Sequence, residues 1–177
     1  MNYDESVGLG KNYAGQDCSI ARSLELIGER WTILVLRDAM YGVRRYGDFL
    51  SHLELPRAVL SQRLTTLVNA GIMERRRYQE SPPRDEYVLT EAGLDLWPTL
   101  LSLGRWGERH LCMGTSRLFF HIGCDVQINR YAMCEACGKR APLNEIETRP
   151  GPDADHTRDN PVSRALLRPH RMLDPLP

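Results

Sequence analysis

The sequence predicts a mainly α-helical fold with one small β-hairpin, followed by a small cysteine-containing module. Three observations carry this expectation. Several stretches between Cys18 and Leu111 repeat apolar residues at steps of three and four, the period of a helix with one buried face. Two alternating segments, IMERRRYQ and DEYVLT, flank a turn at Glu80–Arg84 that contains a double proline. Farther on, His121, Cys124, Cys134 and Cys137 fall in the pattern H-x2-C-x9-C-x2-C-G.

Each element follows in order. Ile20, Leu24, Ile27, Trp31 and Leu34 form the first stripe, and Gly28 divides it into two helices. The second, RWTILVLRDAM, is apolar on nearly all sides and is expected to be central. GVRRYG turns the chain into a short helix, YGDFLSHL. RAVLSQRLTTLVNAG then runs between Pro56, suited to a first helical turn, and Gly71, suited to a stop. Leu60, Leu64, Leu67 and Val68 line one side of it, while Ala58, Ser61, Gln62, Thr65 and Asn69 fall together on the other. After the hairpin, Thr90 suits the N-cap of a helix over residues 91–111, which Pro98 should kink or shift. Residues 150–177 hold six of the eleven prolines and show no sustained period, so they are expected to be disordered or draped over a partner.

Charge sharpens the picture. From Arg30 to Arg84 there are ten arginines against five acids, +5 on a chain whose formal net charge is zero. One positive face on a neutral protein points to an anionic partner. Charges interrupt every apolar run, and the N-terminus lacks a signal-peptide pattern, so the expected location is the cytoplasm, with no membrane partner.

A short helix, a tight turn, a second helix and a two-stranded hairpin, in that order, are the layout of a winged helix-turn-helix. A major groove roughly 12 Å wide admits a helix only if its outward side chains do not hold it away. Ala58 and Ser61 meet that demand; Gln62 suits adenine edges, and Arg57 guanine or phosphate. Arg63 completes the expected contacts of this helix, and on the hairpin Arg75 and Arg77 share one face of their strand. Arg84 stands at the wing tip, placed for a narrow minor groove.

The block from Cys18 to His110 resembles the HxlR family of bacterial transcriptional regulators, a MarR-like winged helix group. The resemblance rests on the opening cysteine, LELIGERWTILVLRDA, the RYGDF helix, LSQRL followed by AGI, and the return strand YVLTEAG. IGER departs from the usual IGGKW-like sequence by one glycine and one basic residue. The resemblance implies a homodimer joined by N- and C-terminal helices, two recognition helices on a palindromic double-stranded operator, and DNA contacts at Arg57, Ala58, Ser61, Gln62 and the wing. It also implies that Cys18 can act as an oxidant or electrophile sensor. A helix N-terminus favours a thiolate there, and Arg22 lies one turn on. A small buried residue at the dimer interface is the alternative for Cys18; effector binding between the dimerisation helices near Trp31, Trp97 and Trp106 is the competing sensor, with plain core packing as the other reading of those tryptophans.

An odd count of five cysteines argues against a disulfide framework. Cys134-x2-Cys137-Gly138 is a metal knuckle, and His121 and Cys124 share its short spacing, so the set is expected to bind a structural Zn2+; Asp125 stands where a second knuckle would place glycine. The expected organisation is a flexible arm over 1–16, a winged helix-turn-helix for DNA binding and dimerisation over 17–112, a zinc-ribbon-like module over 113–149, and a proline-rich tail over 150–177. The function expected is that of a sequence-specific regulator, a repressor released by thiol oxidation or a small molecule, and not an enzyme. The alternatives are a small thiol or zinc oxidoreductase and a protein-binding winged-helix adaptor.

Overall fold

A computed structural model describes residues 13, 15–111 and 114–176. Nearly all of the expected N-terminal arm, and Cys112, lie outside the described residues. The helices are α1 (Ser19–Ile27), α2 (Arg30–Met40), α3 (Tyr46–Leu53), α4 (Arg57–Asn69), α5 (Glu91–Leu94), α6 (Trp97–His110) and α7 (Pro161–Ala165). The strands are β1 (Met73–Gln79), β2 (Arg84–Leu89), β3 (Arg117–His121), β4 (Val126–Gln127), β5 (Ile146–Pro150) and β6 (His170–Arg171).

The helical half forms around α2. Val35, Leu36 and Met40 are essentially inaccessible there, and Phe49 of α3 and Leu60, Leu64 and Leu67 of α4 close over them. Gly28 ends α1, as expected. The helix expected over residues 91–111 is two. Thr90 caps α5, its hydroxyl accepting the Gly93 N–H at 3.4 Å, and Pro98 falls in the first turn of α6. A proline there begins a new helix because the N–H it lacks has no partner in that turn anyway. The stripe on α1 departs from expectation: Ile20 is 71% exposed and Leu24 45%.

Strands β1 and β2 pair antiparallel, Met73 opposite Leu89 and Arg77 opposite Asp85. The segment before α3 extends this wing: the Tyr87 N–H donates to Arg44 O at 2.8 Å, and Arg45 bridges Glu86. A second antiparallel sheet, in the order β4-β3-β5-β6, forms the frame of the C-terminal half. Its Phe119 packs edge-on against Trp97, with centroids 5.0 Å apart, and stacks on Tyr41 at 6.5 Å. Through this seam the two halves share one continuous apolar core.

The proline-rich segment is ordered against both halves, contrary to the expectation of disorder. Val162, Leu166, Met172 and Leu176 are buried, and β6 pairs with β5. The Leu173 N–H donates to Met40 O at 3.0 Å and the Leu176 N–H to Gly42 O at 3.1 Å, so the segment straps the end of α2. Arg44 Nη2 reaches Leu173 O at 2.9 Å. Gly42 makes the close approach possible: at φ +96° it carries no Cβ, and one built there would lie 1.8 Å from Asp174 O. Prolines disguise this segment in sequence because they suit an extended strap that needs few N–H donors.

A buried polar network ties the strap to the helix-turn-helix. Asp38, fully buried, accepts from Arg37 Nε at 2.9 Å and Nη2 at 2.7 Å, and its other oxygen lies 2.7 Å from His52 Nδ1. Arg158, from the strap, donates to His52 O and to Glu54 Oε1, the latter at 2.9 Å.

Candidate nucleic-acid interface and cysteine centre

Helix α4 presents Ala58, Ser61, Gln62, Thr65 and Asn69 on its exposed side, opposite the buried leucines. The N-terminal end of that row is held in place by Tyr46 of α3, whose hydroxyl donates to Arg57 O at 3.0 Å or shares a hydrogen bond with Ser61 Oγ at 3.1 Å. Sequence reasoning missed Tyr46 as a positioning residue; it lies in the RYGDF motif, but nothing local shows where its hydroxyl goes. Arg57 and Arg84 are exposed, and among the described residues neither guanidinium meets a carboxylate.

Three expected DNA contacts stand differently. Arg63 turns back toward the start of α2: its side chain is 14% exposed and its Nη1 lies 3.9 Å from Glu29 Oε2. Arg75 and Arg77 do share one strand face, as the alternation requires, but both reach Asp85 across the hairpin, Arg75 Nε at 2.8 Å and Arg77 Nε at 3.2 Å. Those two guanidinium groups hold the Asp85 carboxyl below its ordinary range, Arg75 first through its hydrogen bond. Two positive charges share one negative partner, so this face is less positive than its arginines imply. Arg76 pairs with Glu74.

Cys18 sits exposed at the N-cap of α1, where the geometry leaves its thiol open to solvent. Arg22, expected beside it, pairs with Glu25 at 3.4 Å.

His121, Cys124, Cys134 and Cys137 converge, with one nitrogen or sulfur from each lying within 4.8 Å of all the others. Two matching knuckles bring them together. The Gly138 N–H donates to Cys134 O at 2.8 Å, and the Asp125 N–H to His121 O at 2.8 Å. Gly138 has φ +68° and Asp125 φ +51°, so the aspartate takes the left-handed position that glycine takes in the other turn. Asp and Asn tolerate that conformation better than most residues. Arg149 then holds the Asp125 carboxylate at 2.5 Å.

Backbone N–H groups of the second knuckle, that of Cys137 first, bring the Cys134 thiol down to about 6. Desolvation, with the neighbouring thiols, pushes Cys124 up to about 11. One thiolate therefore forms readily, and a second beside it calls for a cation. His121 turns Nδ1 toward Cys137 Sγ at 3.7 Å and Nε2 toward Glu145 Oε2 at 3.4 Å. A carboxylate on the outer nitrogen orients an imidazole whose inner nitrogen serves as a ligand. Three thiols and one imidazole are a donor set that fits a tetrahedral Zn2+. Glu145 had no signal in the sequence, being 24 residues from its partner.

The helix-turn-helix, the hairpin paired to the segment before α3, and the exposed row on α4 define a winged helix-turn-helix protein. Residues 26–114 match the HxlR-like helix-turn-helix family, and the chain belongs to it. It is 40% identical over 146 residues to the uncharacterised HTH-type transcriptional regulator Rv3095 of Mycobacterium tuberculosis, covering 81% of this chain and 91% of that protein. It is 31% identical over 106 residues to YdeP of Bacillus subtilis, also named an uncharacterised HTH-type transcriptional regulator, covering 58% of this chain and 83% of that one. The solved structure of PA1607, described as a candidate transcription factor, superposes with a TM-score of 0.59 at 32% identity, over 81% of this chain and 96% of that one. No described helix is long and apolar enough to cross a membrane.

Proposed function

We propose that two copies of this chain form a sequence-specific transcriptional regulator, a repressor that places one α4 in each of two successive major grooves of a palindromic operator. The observation that carries this reading is the exposed row Ala58, Ser61, Gln62, Thr65 and Asn69, small or hydrogen-bonding and not committed to the core. Related proteins named HTH-type transcriptional regulators support it. Gln62 reads a base edge, Arg57 anchors at the helix start and Arg84 follows the backbone from the wing. Arg75 and Arg77 contribute less than Arg84, because Asp85 already engages both.

The second copy covers the apolar side chains left open on α1, on α6 and at the C-cap of α6. Leu24 and Leu26 are 45% and 43% exposed, Leu103 50%, Trp106 53% and Leu111 60%. Soluble monomers rarely leave such a group uncovered. Trp106→Glu is accordingly expected to shift sedimentation from dimer to monomer. Release of DNA follows oxidation of the exposed Cys18 or binding of a small molecule, either of which changes the spacing of the paired helices. The cysteine centre holds Zn2+ through His121, Cys124, Cys134 and Cys137, in a structural role.

Selection of bound fragments from genomic DNA identifies the operator, and affinity measurements on it test the reading. Gln62→Ala is expected to lose about 1–3 kcal/mol and to relax preference at one base position. Arg84→Ala is expected to weaken all sequences alike by about tenfold. Unchanged affinity in both variants, or no DNA retained by the wild type, overturns the proposal.

A further inference from the structure

Between α2, α6 and β3 lies a cavity of about 220 Å3. Its body is apolar, formed by Met40, Trp97, Leu100, Leu101 and Phe119. Arg37, Arg105 and Arg117 also line it, together with one acid, Glu108.

Two buried donors in this lining have no acceptor. Trp97 is 6% exposed, and its indole Nε1 is fully covered without a hydrogen bond; Arg105 Nη2 is in the same condition. A buried donor left unmade costs about 1–3 kcal/mol, and both atoms lie behind the cavity wall. The charges around the cavity do not balance either. Arg105 Nη1 is 2.7 Å from Glu108 Oε2, and Arg37 is held by Asp38 behind it. Arg117 has no carboxylate partner among the described residues; it gives one N–H to the Leu166 carbonyl and lies over the Tyr41 ring. Three guanidinium groups thus face two carboxylates. Burial works against the charge on Arg117, with Arg37 adding to it, and an anion would relieve both effects. A second cavity of about 150 Å3 shares Arg37, Tyr41, Ser116 and Arg117 and opens toward His52, Asp155 and Arg158, so Arg117 stands where the two meet.

We propose that this cavity binds a small apolar monocarboxylate, its carboxylate on Arg117 and its body against Trp97, Leu100 and Phe119. Arg117, the lining guanidinium without a carboxylate in ion-pair range among the described residues, calls for a monoanion. The small volume calls for a compact body of one ring or a short chain, since typical ligand sites begin at about 300 Å3. The proposal names a ligand class for the effector described above and rests on that reading for its biological use, though not for binding itself.

The test is calorimetric titration of the full chain, without DNA, with phenylacetate and with hexanoate, each against its neutral amide. Tryptophan fluorescence reports contact at Trp97. The expected result is saturable binding of one acid per chain, with the amide weaker by about tenfold or more, the range of a charge-assisted contact. Arg117→Met, which keeps an unbranched apolar stem and removes the charge, is expected to abolish the preference for acid over amide, while Arg84→Met leaves it intact. Equal binding of acid and amide, or no saturation by either acid up to about 10 mM, overturns the proposal. The comparison on the wild type decides the matter even if Arg117→Met does not fold. Because no DNA is present, failure here leaves the operator measurements untouched. Saturable binding that leaves operator affinity unchanged would count against the effector reading alone.

Discussion

Cys134→Ser is expected to lose bound zinc and to unfold the segment between β3 and β5. Cys134 is fully buried and supplies both a sulfur of the His/Cys cluster and the carbonyl that closes its knuckle. In small metal modules the metal contributes on the order of 10–16 kcal/mol, well above the stability of a typical domain. Few apolar groups stand ready to replace it: Ile128, Ala132, Ala141 and Leu143 are buried in this segment, and apart from the two-residue strand β4 it is built mostly of turns. The loss should spread beyond the module, because Phe119 of the neighbouring strand is shared with Trp97 and Tyr41. Metal analysis and thermal melting check this, with Cys18→Ser as the control that keeps full zinc content. If chelation removes all metal and leaves the melting temperature unchanged, the centre does not hold a structural zinc ion.

Asp38→Ala is expected to cost about 3–5 kcal/mol, the range for removing one partner of a buried ionic network. The carboxylate accepts from both Arg37 and His52, and neither has another acceptor of comparable geometry. Truncation leaves the buried imidazole without its partner and a half-buried guanidinium without a counter-charge. Asp38→Asn retains an oxygen acceptor and should cost clearly less. Urea denaturation ranks the three proteins, and equal stability of the Ala variant and wild type would refute the account. The effect should reach DNA binding too, since the network fixes α3 against α2 and Tyr46 of α3 holds the start of α4.

The helical half was legible because its elements announce themselves locally. The leucine stripe of α4, the stop at Gly28 and the cap at Thr90 are all set by residues within a turn or two. The cysteine cluster was legible for the same reason, each knuckle being a short local spacing. What the sequence hid depends on partners distant along the chain. Asp85 engages Arg75 and Arg77 only once strand register is set. Arg63 looks like one more groove-facing arginine until Glu29 is brought beside it. Glu145 finds His121, and Arg158 finds His52, through tertiary folding alone. The strap was the largest omission: its buried residues, Val162, Leu166, Met172 and Leu176, keep no single period for a helix or strand to display.

That strap bears on how chimaeras of such proteins should be cut. Residues 26–114 carry the family match, and severing the chain just beyond them looks natural. Such a cut would strip Tyr41 and Trp97 of their aromatic neighbour and leave the Met40 and Gly42 carbonyls unanswered. Arg44, whose carbonyl anchors the hairpin, would lose the Leu173 oxygen that steadies its side chain. A transplanted reading head would therefore need its downstream third grafted with it to keep the hairpin's tilt.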